Sequence, residues 1–527
     1  MAATDARPSI DLLKQAFNSV EVDISVSARD ILDRDLLSKS DPKCVLYTKR
    51  LGSQEFVKYD ETEEVTDNLN PTFVKKFRLT YFVREKQELL FKLYDVDVLT
   101  KDFLGEVTCL LSDIYRQQRL ELPLLYSGNK KGQSGVLILH AFKVGDRKDQ
   151  VTFNFKAEEL PKMDRLGSGD PYLIIKKEIK LNSRQFIPVA RTEVVKNTHS
   201  PTWQPLTLDV DTLCANDYNN RILIECLDWD RLTSDDLVGS FLTDLTSLTQ
   251  DCGPDNYQKT FQFNKNGEDR GKLILTSCDI LQKFSFYDYV SSKTHLNFVV
   301  AIDFTDSNGN QSDPDSRHFS GESGQSVNTY MKVMEVLGEV IPLYDPKNFI
   351  HAIGFGAILS PSDSVSHNFN LDSECQPLDG MVAVNTAYRT VLENAILASP
   401  VEYCPVINHV IERSREQIDG SEYFVLFILT NTSPDDKDDT EKALQEASGL
   451  PLSISIINVG DEDNAGIEEF SSPSDKNARD VITCTRIKDY QDGDGEFISK
   501  DQFAHAMFRK IPEQLLSWMT NNNIKPE

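Results

Sequence analysis

Two stretches decide the fold: Asp35-Leu-Leu-Ser-Lys-Ser-Asp41-Pro42 and, 129 residues later, Asp164-Arg-Leu-Gly-Ser-Gly-Asp170-Pro171. Further matches follow in the same order. Asn70-Pro-Thr-Phe73 recurs as Ser200-Pro-Thr-Trp203, and Asp95-Val-Asp97 recurs as Asp228-Trp-Asp230. The offset drifts from 129 to 133 residues, as changes in loop length between two copies of one domain would produce. The chain therefore contains a duplicated domain of about 130 residues.

Each copy has the pattern of an antiparallel β-sandwich. Short segments rich in β-branched and aromatic residues are bounded by Gly, Pro, Asn and Asp, which predicts strands joined by turns. The predicted strands are residues 20–28, 43–48, 89–94, 135–142, 151–157, 172–179, 221–227 and 272–278. The repeated Asp residues then lie in loops at the strand ends.

The last part of the chain alternates between strands and helices. Apolar runs at 298–302, 349–355, 423–430 and 452–459 predict strands buried on both faces. Helical spacing of apolar residues is found at 325–340, 380–397, 405–417, 439–448 and 500–519. This alternation predicts a doubly wound, Rossmann-like α/β domain with a mainly parallel sheet. Ligand sites in such domains lie at the carboxyl ends of the strands.

Five carboxylates recur in each copy and are expected to converge from two loops. The first set is Asp35, Asp41, Asp95, Asp97 and Asp102, and the second set is Asp164, Asp170, Asp228, Asp230 and Asp236. Carboxylates held close together need a counter-ion, and hard oxygen ligands at this density suit Ca²⁺. Aspartate is also common in turns, but chance composition does not reproduce the spacing twice. No His, Lys or nucleophile recurs beside them, which argues against catalysis.

Apolar side chains stand between these carboxylates, and lysines follow in the second copy. Leucines at loop tips suit the acyl boundary of a membrane, although they would also pack back onto a sandwich. Lysines near an anionic leaflet add about 1 kcal/mol each. The predicted membrane-contacting residues are Leu36, Leu37, Val98, Leu99, Leu166, Leu232, Lys176 and Lys177.

The repeated motifs resemble those of C2 domains, the β-sandwich modules that bind Ca²⁺ and phospholipid. In the α/β domain, Asp303-Phe-Thr305-Asp-Ser307 resembles the metal-ion-dependent adhesion site of von Willebrand factor A domains. Blocks such as Val336-Leu-Gly-Glu-Val-Ile and Pro405-Val-Ile-Asn-His409 resemble the copines, in which two C2 domains precede one A domain. The resemblance covers about residues 18–515. It implies that the ten Asp residues are the Ca²⁺ ligands and that the two domains together bind several Ca²⁺ ions.

The resemblance also implies an A-domain metal site, which this sequence has partly lost. Asp303, Thr305 and Ser307 are present and are of the type that holds Mg²⁺ or Mn²⁺. The Asp that copines usually carry after the strand at 423–430 is Asn431 here, and the second-loop Thr aligns with Val401, with Ser399 as its substitute if the loop shifts. We therefore expect no tight Mg²⁺ or Mn²⁺ binding at this degenerate site.

The sequence predicts six consecutive parts. They are an N-terminal segment (1–17), a first C2 domain (18–143), a second C2 domain (148–283), a linker (284–294), an A domain (295–520) and a tail (521–527).

The charge of the chain is divided unevenly between these parts. The 527 residues carry a net charge of −27, which argues against nucleic-acid binding. Residues 293–527 hold 38 acidic and 17 basic side chains, a net of −21, and this leaves −6 for residues 1–292. Neutralising the ten clustered Asp residues would turn −6 into about +4, the sign that an anionic membrane attracts.

The distribution of the Cys residues and the lengths of the apolar segments indicate the cellular compartment of the protein. The nine Cys residues are scattered without a CxxC motif, which is typical of reduced intracellular thiols. We expect no signal peptide and no transmembrane segment, so any membrane association is peripheral.

These observations predict a cytoplasmic adaptor rather than an enzyme, since no G-x-S-x-G, phosphate-loop or kinase motif is present. We expect Ca²⁺-dependent docking through the C2 pair on anionic phospholipid of the inner plasma-membrane leaflet. The A domain is expected to recruit protein partners in membrane trafficking or signalling. The alternative is a Ca²⁺-independent protein-interaction scaffold.

Overall fold

The computed structural model describes residues 18–33, 39–96, 101–126, 132–145, 149–163, 169–180, 183–230, 235–250, 258–321, 326–372, 376–461, 465–471 and 478–526. The chain divides into two compact units, one formed by Val20–Lys283 and one that contains Phe284–Glu527. None of the helices in the described ranges has the length and apolar character needed to cross a membrane.

The first repeat is an eight-stranded antiparallel sandwich. Its elements are β1 (Ser19–Arg29), β2 (Pro42–Lys49), β3 (Phe56–Glu61), β4 (Phe77–Phe82), β5 (Glu88–Val96), β6 (Lys101–Leu110), α1 (Leu111–Gln117), β7 (Arg119–Tyr126) and β8 (Gly132–Lys143). The strand order is β3-β2-β5-β6-β7-β8-β1-β4. Strands β6 and β7 share a single register pair, Glu106 with Leu125, so the path folds there into two four-stranded layers.

The second repeat has the same architecture. Its elements are β9 (Gln150–Glu158), β10 (Pro171–Glu178), β11 (Phe186–Arg191), β12 (Leu206–Asp209), α2 (Val210–Cys214), β13 (Arg221–Asp228), β14 (Asp236–Asp244), α3 (Leu245–Thr249), β15 (Lys259–Lys265) and β16 (Glu268–Leu281). The order β11-β10-β13-β14-β15-β16-β9-β12 reproduces that of the first sandwich strand for strand. The prediction of two antiparallel sandwiches is confirmed.

The core of each sandwich is formed by apolar side chains that alternate with polar ones along the strands. In β9, Val151, Phe153, Phe155 and Ala157 are buried, and the residues between them are partly exposed. Because successive side chains in a strand point to opposite faces, this pattern puts one row of side chains inside the sandwich and the other row on its surface. The aromatic residue of the repeated Pro-Thr-aromatic motif is buried in both copies, as Phe73 and as Trp203.

The C-terminal unit is an α/β domain. Its elements are α4 (Phe286–Val290), β17 (His295–Asp303), a 3₁₀ turn (Asp306–Asn308), α5 (Thr329–Tyr344), β18 (Phe349–Phe355), β19 (Ala357–Ile358), β20 (Val365–Ser366), β21 (Phe369–Asn370), β22 (Leu378–Asp379), α6 (Gly380–Asn394), β23 (Ile396–Leu397), α7 (Cys404–Ser414), β24 (Glu422–Thr430), α8 (Lys437–Ala447), β25 (Leu452–Asn458), α9 (Ala465–Glu468), a 3₁₀ turn (Glu469–Ser471), β26 (Ile482–Arg486), a 3₁₀ turn (Ile487–Tyr490), α10 (Lys500–Phe508) and α11 (Ile511–Asn521). Strands β18-β17-β24-β25-β26 are parallel, with short antiparallel strands at the β18 edge, and β20-β19-β23 form a separate small sheet.

Two apolar layers cover the faces of this parallel sheet. In β17, Phe298, Val300 and Ile302 pack in one cluster with α5, α6, α10 and α11, while Val299 and Ala301 pack in a second cluster with α7 and α8. Because both faces are covered, the central strands β17 and β24 carry continuous apolar runs over residues 298–302 and 423–429. The predicted doubly wound α/β architecture is therefore confirmed.

Two expectations for this unit were wrong. The predicted linker contains α4, whose Phe286, Tyr289 and Val290 are buried in the larger A-domain cluster, so this segment belongs to the domain. The single helix expected over 500–519 is two helices, because Pro512 stands in the first turn of α11. Proline has no N–H to donate and suits the start of a helix, not its interior.

Candidate functional site

In the first sandwich, buried Asp95 fixes the loop that carries Asp41. Asp95 lies in β5 opposite Pro42 of β2 and opposite Asp102 of β6. Its Oδ1 accepts a hydrogen bond from the backbone N–H of Asp41 at 2.6 Å, and Oδ1 of Asp41 accepts one from the N–H of Asp67 at 2.5 Å. Backbone donors therefore hold these carboxylates at one end of the sandwich, which we call the first tip.

The second sandwich repeats this arrangement at its own end, the second tip. Asp228 is opposite Pro171 and opposite Asp236 in the strand register. The N–H of Asp170 donates to Oδ1 of Asp228 at 2.5 Å, and the N–H of Asn197 donates to Oδ1 of Asp170 at 2.7 Å. The sequence repeat is therefore also a repeat of the hydrogen bonds that orient the carboxylates.

Seven of the ten predicted Ca²⁺ ligands lie within the described residues. They are Asp41, Asp95, Asp102, Asp170, Asp228, Asp230 and Asp236. Asp35, Asp97 and Asp164 lie outside them. Within the described part of the chain, no three acidic, His or Cys side chains form a group that could hold a metal ion. The donor set is nevertheless all carboxylate oxygen, which fits Ca²⁺, and the ligand assignment stays a prediction.

Sequence reasoning missed one buried carboxylate at the first tip. Asp67 is only 6% exposed, and its Oδ1 accepts a hydrogen bond from the N–H of Lys39 at 2.5 Å. Asp67 and its counterpart Asn197 both have left-handed backbone, with φ of 53° and 55°, a conformation that Asp and Asn tolerate better than most residues. The 130-residue offset that pairs Asp67 with Asn197 was the signal that could have found it.

Asp235 is a second residue that the sequence did not single out. Its Oδ1 accepts a hydrogen bond from the N–H of Asp230 at 3.0 Å, and its Oδ2 accepts one from the hydroxyl of Tyr172 at 2.6 Å. Burial, followed by this hydrogen bond, raises the pKa of Tyr172, so the phenol stays a donor. Asp235 thus anchors the loop before Asp236 to strand β10.

Lys196 makes the second tip electrostatically different from the first. Its Nζ lies 3.5 Å from Oδ2 of Asp170 and 3.8 Å from the centre of the Trp229 ring. The residue at the equivalent place in the first copy is Thr66. The second tip therefore carries a cation of its own, which partly offsets the charge of Asp170.

The predicted membrane-contacting residues are mostly beyond the described part of the chain. Leu36, Leu37, Val98, Leu99, Leu166 and Leu232 all lie outside it.

The two lysines of that set are described. Lys176 forms an ion pair with Glu225 at 2.7 Å. Lys177 is 4% exposed, with its Nζ 4.7 Å from the centre of the Phe142 ring. The prediction that Lys177 contacts a membrane was wrong, because its side chain is buried against the first sandwich.

The predicted A-domain ligands do come together, around Asp303 at the carboxyl end of β17. The Asp303 side chain is fully buried. Its Oδ1 accepts hydrogen bonds from the N–H and the hydroxyl of Thr305 at 2.8 and 2.6 Å, and its Oδ2 accepts one from the hydroxyl of Thr430 at 2.8 Å. Burial raises the pKa of Asp303, and these hydrogen bonds oppose that rise.

The remaining predicted ligand, Ser307, is paired with Asn431. The Ser307 hydroxyl donates to Oδ1 of Asn431 at 2.9 Å, and Nδ2 of Asn431 donates back to the Ser307 carbonyl at 2.8 Å. The Val401 side chain is buried and apolar, and the Ser399 hydroxyl donates to Asp306.

These contacts do not fit a tightly held Mg²⁺ or Mn²⁺. Asp303 is the one carboxylate among the three predicted ligands, and both its oxygens already accept hydrogen bonds. Mg²⁺ needs a nearly ideal octahedron of oxygen donors. At this site, an amide and hydroxyl groups instead satisfy the carboxylate and one another.

Gly356 allows Thr305 to approach the Asp303 carboxylate. Its φ is +78°, and a Cβ there would lie 2.1 Å from Cγ2 of Thr305. We expect Gly356→Ala to lower the free energy of unfolding of the A domain by about 2–4 kcal/mol, because strain and overlap combine. Thermal unfolding measures this. Gly493→Ala is the control, since a Cβ there meets nothing within 4 Å, and equal melting temperatures for the two variants would contradict the expectation.

A pocket of about 410 Å³ opens beside this network at the carboxyl edge of the sheet. Ser307, Asn431 and Asp461 line it together with Arg317. Asp461 pairs with Arg317 and with Lys488, whose Nζ lies 3.0 Å from Oδ1. The edge that carries ligand sites in α/β domains therefore offers a polar recess with an ion-paired rim.

Comparison with known proteins agrees with this architecture. The C2 domain profile matches residues 19–124 and 151–260, and the Copine profile matches residues 317–527. Protein BONZAI 1 of Arabidopsis thaliana is 32% identical over 563 residues, a match that covers 100% of this chain and 95% of that protein.

Solved structures were also matched over parts of the chain. BON1-C2B is 23% identical, covers 26% of this chain and 94% of its own, and has a TM-score of 0.22. The calcium-bound C2A and C2B domains of Extended-Synaptotagmin 2 are 17% identical, cover 50% of this chain and 98% of their own, and have a TM-score of 0.19. On the profiles and on the full-length match to BONZAI 1, the chain belongs to the copine family, with two C2 domains followed by a copine domain of the von Willebrand factor A type.

Proposed function

We propose that this copine is a Ca²⁺-dependent, phospholipid-binding adaptor that docks on anionic membranes through its C2 pair. One observation carries the proposal: in both sandwiches, a buried carboxylate at the end of a strand accepts the backbone N–H of a loop aspartate, Asp95 from Asp41 and Asp228 from Asp170. A purely structural role would not require two such acidic tips with matched geometry.

Ca²⁺ would act mainly by changing the sign of the electrostatic charge at the two tips. Carboxylates clustered at a tip repel one another and repel anionic lipid, and bound cations remove both effects. Bound Ca²⁺ can also accept lipid phosphate oxygens as further ligands. The proposed site of docking is the inner leaflet of the plasma membrane, reached from the cytoplasm when Ca²⁺ rises.

The A domain is proposed to recruit protein partners without an essential metal. Its carboxylate network is closed by Thr305, Thr430 and Asn431, and the adjacent recess offers polar and ion-paired groups to a partner surface. Partner choice would then depend on exposed side chains at this edge. The proposed cellular setting is membrane trafficking or signalling.

One observation favours the alternative of a Ca²⁺-independent scaffold for the second domain. Lys196 already neutralises part of the Asp170 charge, with its ammonium 3.5 Å from the carboxylate. That ion pair lowers the cost of holding the Asp170 carboxylate at this tip without a bound Ca²⁺.

Sedimentation with vesicles tests the proposal. We expect the full chain to sediment with phosphatidylserine vesicles in Ca²⁺, to be released by EGTA, and to bind phosphatidylcholine vesicles poorly. Raising the salt concentration should weaken binding, because exposed charges are screened. Equal sedimentation in Ca²⁺ and EGTA, or none in either, would favour the scaffold.

A further inference from the structure

Within the unit formed by the C2 pair, a cavity of about 230 Å³ lies between the two sandwiches. It is far from apolar, since both sandwiches contribute charged side chains. Those that line it are Asp23, Lys76, Lys143, Lys177, Lys180 and Asp211. Four ammonium groups thus face one cavity with two carboxylates.

Both carboxylates are already committed to other donors. Asp23 is bound by Arg78, with Nε 2.8 Å from Oδ1 and Nη2 3.0 Å from Oδ2. Asp211 accepts hydrogen bonds from the N–H of Gly145 at 3.1 Å and from Nδ2 of Asn216 at 3.0 Å. Arg78 therefore offsets the charge of Asp23, whereas the donors to Asp211 are neutral groups, so the charge of one carboxylate is left against four lysines.

The lysines lack an equivalent partner. Across the described residues, none of the four forms an ion pair with a carboxylate. The Lys177 ammonium lies 3.5 Å from the carbonyl oxygen of Asp211. It also lies over the face of the Phe142 ring, in a cation–π contact. Lys143 and Lys180 are exposed at the rim. The cavity is a positively charged recess built by two domains.

Two largely buried ammonium groups that face each other are costly without an anion. Burial, and then the positive charge of Lys177, lower the pKa of Lys76 to about 7. Burial likewise lowers the pKa of Lys177, although Asp211 and Asp23 oppose that change. A phosphate group between them would accept charge-assisted hydrogen bonds from both.

We propose that this cavity binds a small anion with more than one phosphate group, such as a phosphorylated inositol, which bridges Lys76 of the first sandwich and Lys177 of the second. The volume admits a small ligand and not a strand or helix of another protein. The site is separate from the acidic tips and requires no Ca²⁺. By joining both sandwiches, the anion would stabilise one arrangement of the C2 pair.

Titration of the full chain in EGTA with inositol 1,4,5-trisphosphate tests this inference. Calorimetry should show saturable binding, stronger than for inorganic phosphate, and the melting temperature of the C2 unit should rise. Lys76→Met/Lys177→Met should weaken binding at least tenfold while keeping the apolar stems packed. Without ligand, this variant should melt no lower than the wild type, because a buried repulsion is removed. Lys272→Ala, which removes a surface lysine paired with Glu159, should bind normally.

A second arm identifies the source of the anion. Vesicles containing phosphatidylinositol 4,5-bisphosphate and vesicles with the same charge from phosphatidylserine are compared in EGTA. Selective sedimentation with the former assigns the site to a lipid headgroup, whereas binding of the soluble compound alone assigns it to a free anion. The inference is overturned if the double variant binds as well as the wild type, if Lys272→Ala loses as much, or if no binding occurs. Because Ca²⁺ is absent throughout, these outcomes leave the proposed function to its own test.

Discussion

Replacing both Asp95 and Asp228 by Asn is expected to reduce Ca²⁺-dependent vesicle sedimentation to the level seen in EGTA. Both side chains are almost fully buried, at 0% and 2% exposure, and each accepts a backbone N–H through Oδ1. Asn keeps that acceptor and the shape of the side chain but loses the charge, so the loops should stay in place. Ca²⁺ affinity depends on the number of charged oxygens in the shell, so each tip would lose a central ligand.

The single variants separate the two tips. Because Lys196 already offsets Asp170, we expect Asp95→Asn alone to cost more Ca²⁺-dependent binding than Asp228→Asn alone. Sedimentation against Ca²⁺ concentration measures both, and unfolding in EGTA should be nearly unchanged.

Asp113→Asn/Asp217→Asn is the matched control, since it also removes two charges. Asp113 lies in α1, directly after β6, and Asp217 lies before β13, so both are at the strand ends opposite the tips. Strands of eight to ten residues place those ends about 25 Å from the tip carboxylates. If the control lost binding as fully as Asp95→Asn/Asp228→Asn, net charge and not ligation would explain the effect.

The sequence was most informative where a pattern occurred twice. The repeated Asp-Pro of the first loop starts β2 and β10 at the same register position opposite Asp95 and Asp228, which is why spacing alone predicted the paired tips. Strand β3 was not predicted, because it is a short edge strand in which none of the six residues is buried, so its apolar–polar alternation is weak.

Contacts between distant segments could not be derived from local pattern. The burial of Lys177 against Phe142 depends on how the two sandwiches pack, and no sequence period reports that. The assignment of α4 to a linker failed for a related reason. Its aromatic residues look like an isolated apolar segment until Tyr344 and the rest of the A-domain cluster are placed beside them.

In the A domain, Asn431 takes part in a hydrogen-bond network with the residues of the metal-site motif. Asn431 carries a donor and an acceptor in one side chain, and it uses both on Ser307. An aspartate at this place could accept from the hydroxyl but could not donate to the carbonyl. The change from Asp to Asn therefore replaces a charge that a metal would balance with a hydrogen bond that needs none.

Asp303→Ala is expected to destabilise the A domain strongly and equally in Mg²⁺ and in EDTA. The substitution leaves the Thr305 N–H and the Thr305 and Thr430 hydroxyls without their buried acceptor, which should cost about 3 kcal/mol and about 10 °C in melting temperature. Asp303→Asn should cost less, because one carbonyl acceptor remains. Thermal unfolding of the full chain measures both, with exposed Asp313→Ala as the control. In wild type, Mg²⁺ should not raise the melting temperature of this domain. A rise that Asp303→Asn abolished would instead show that the site still holds a metal, since the amide keeps the shape of the carboxylate but not its charge.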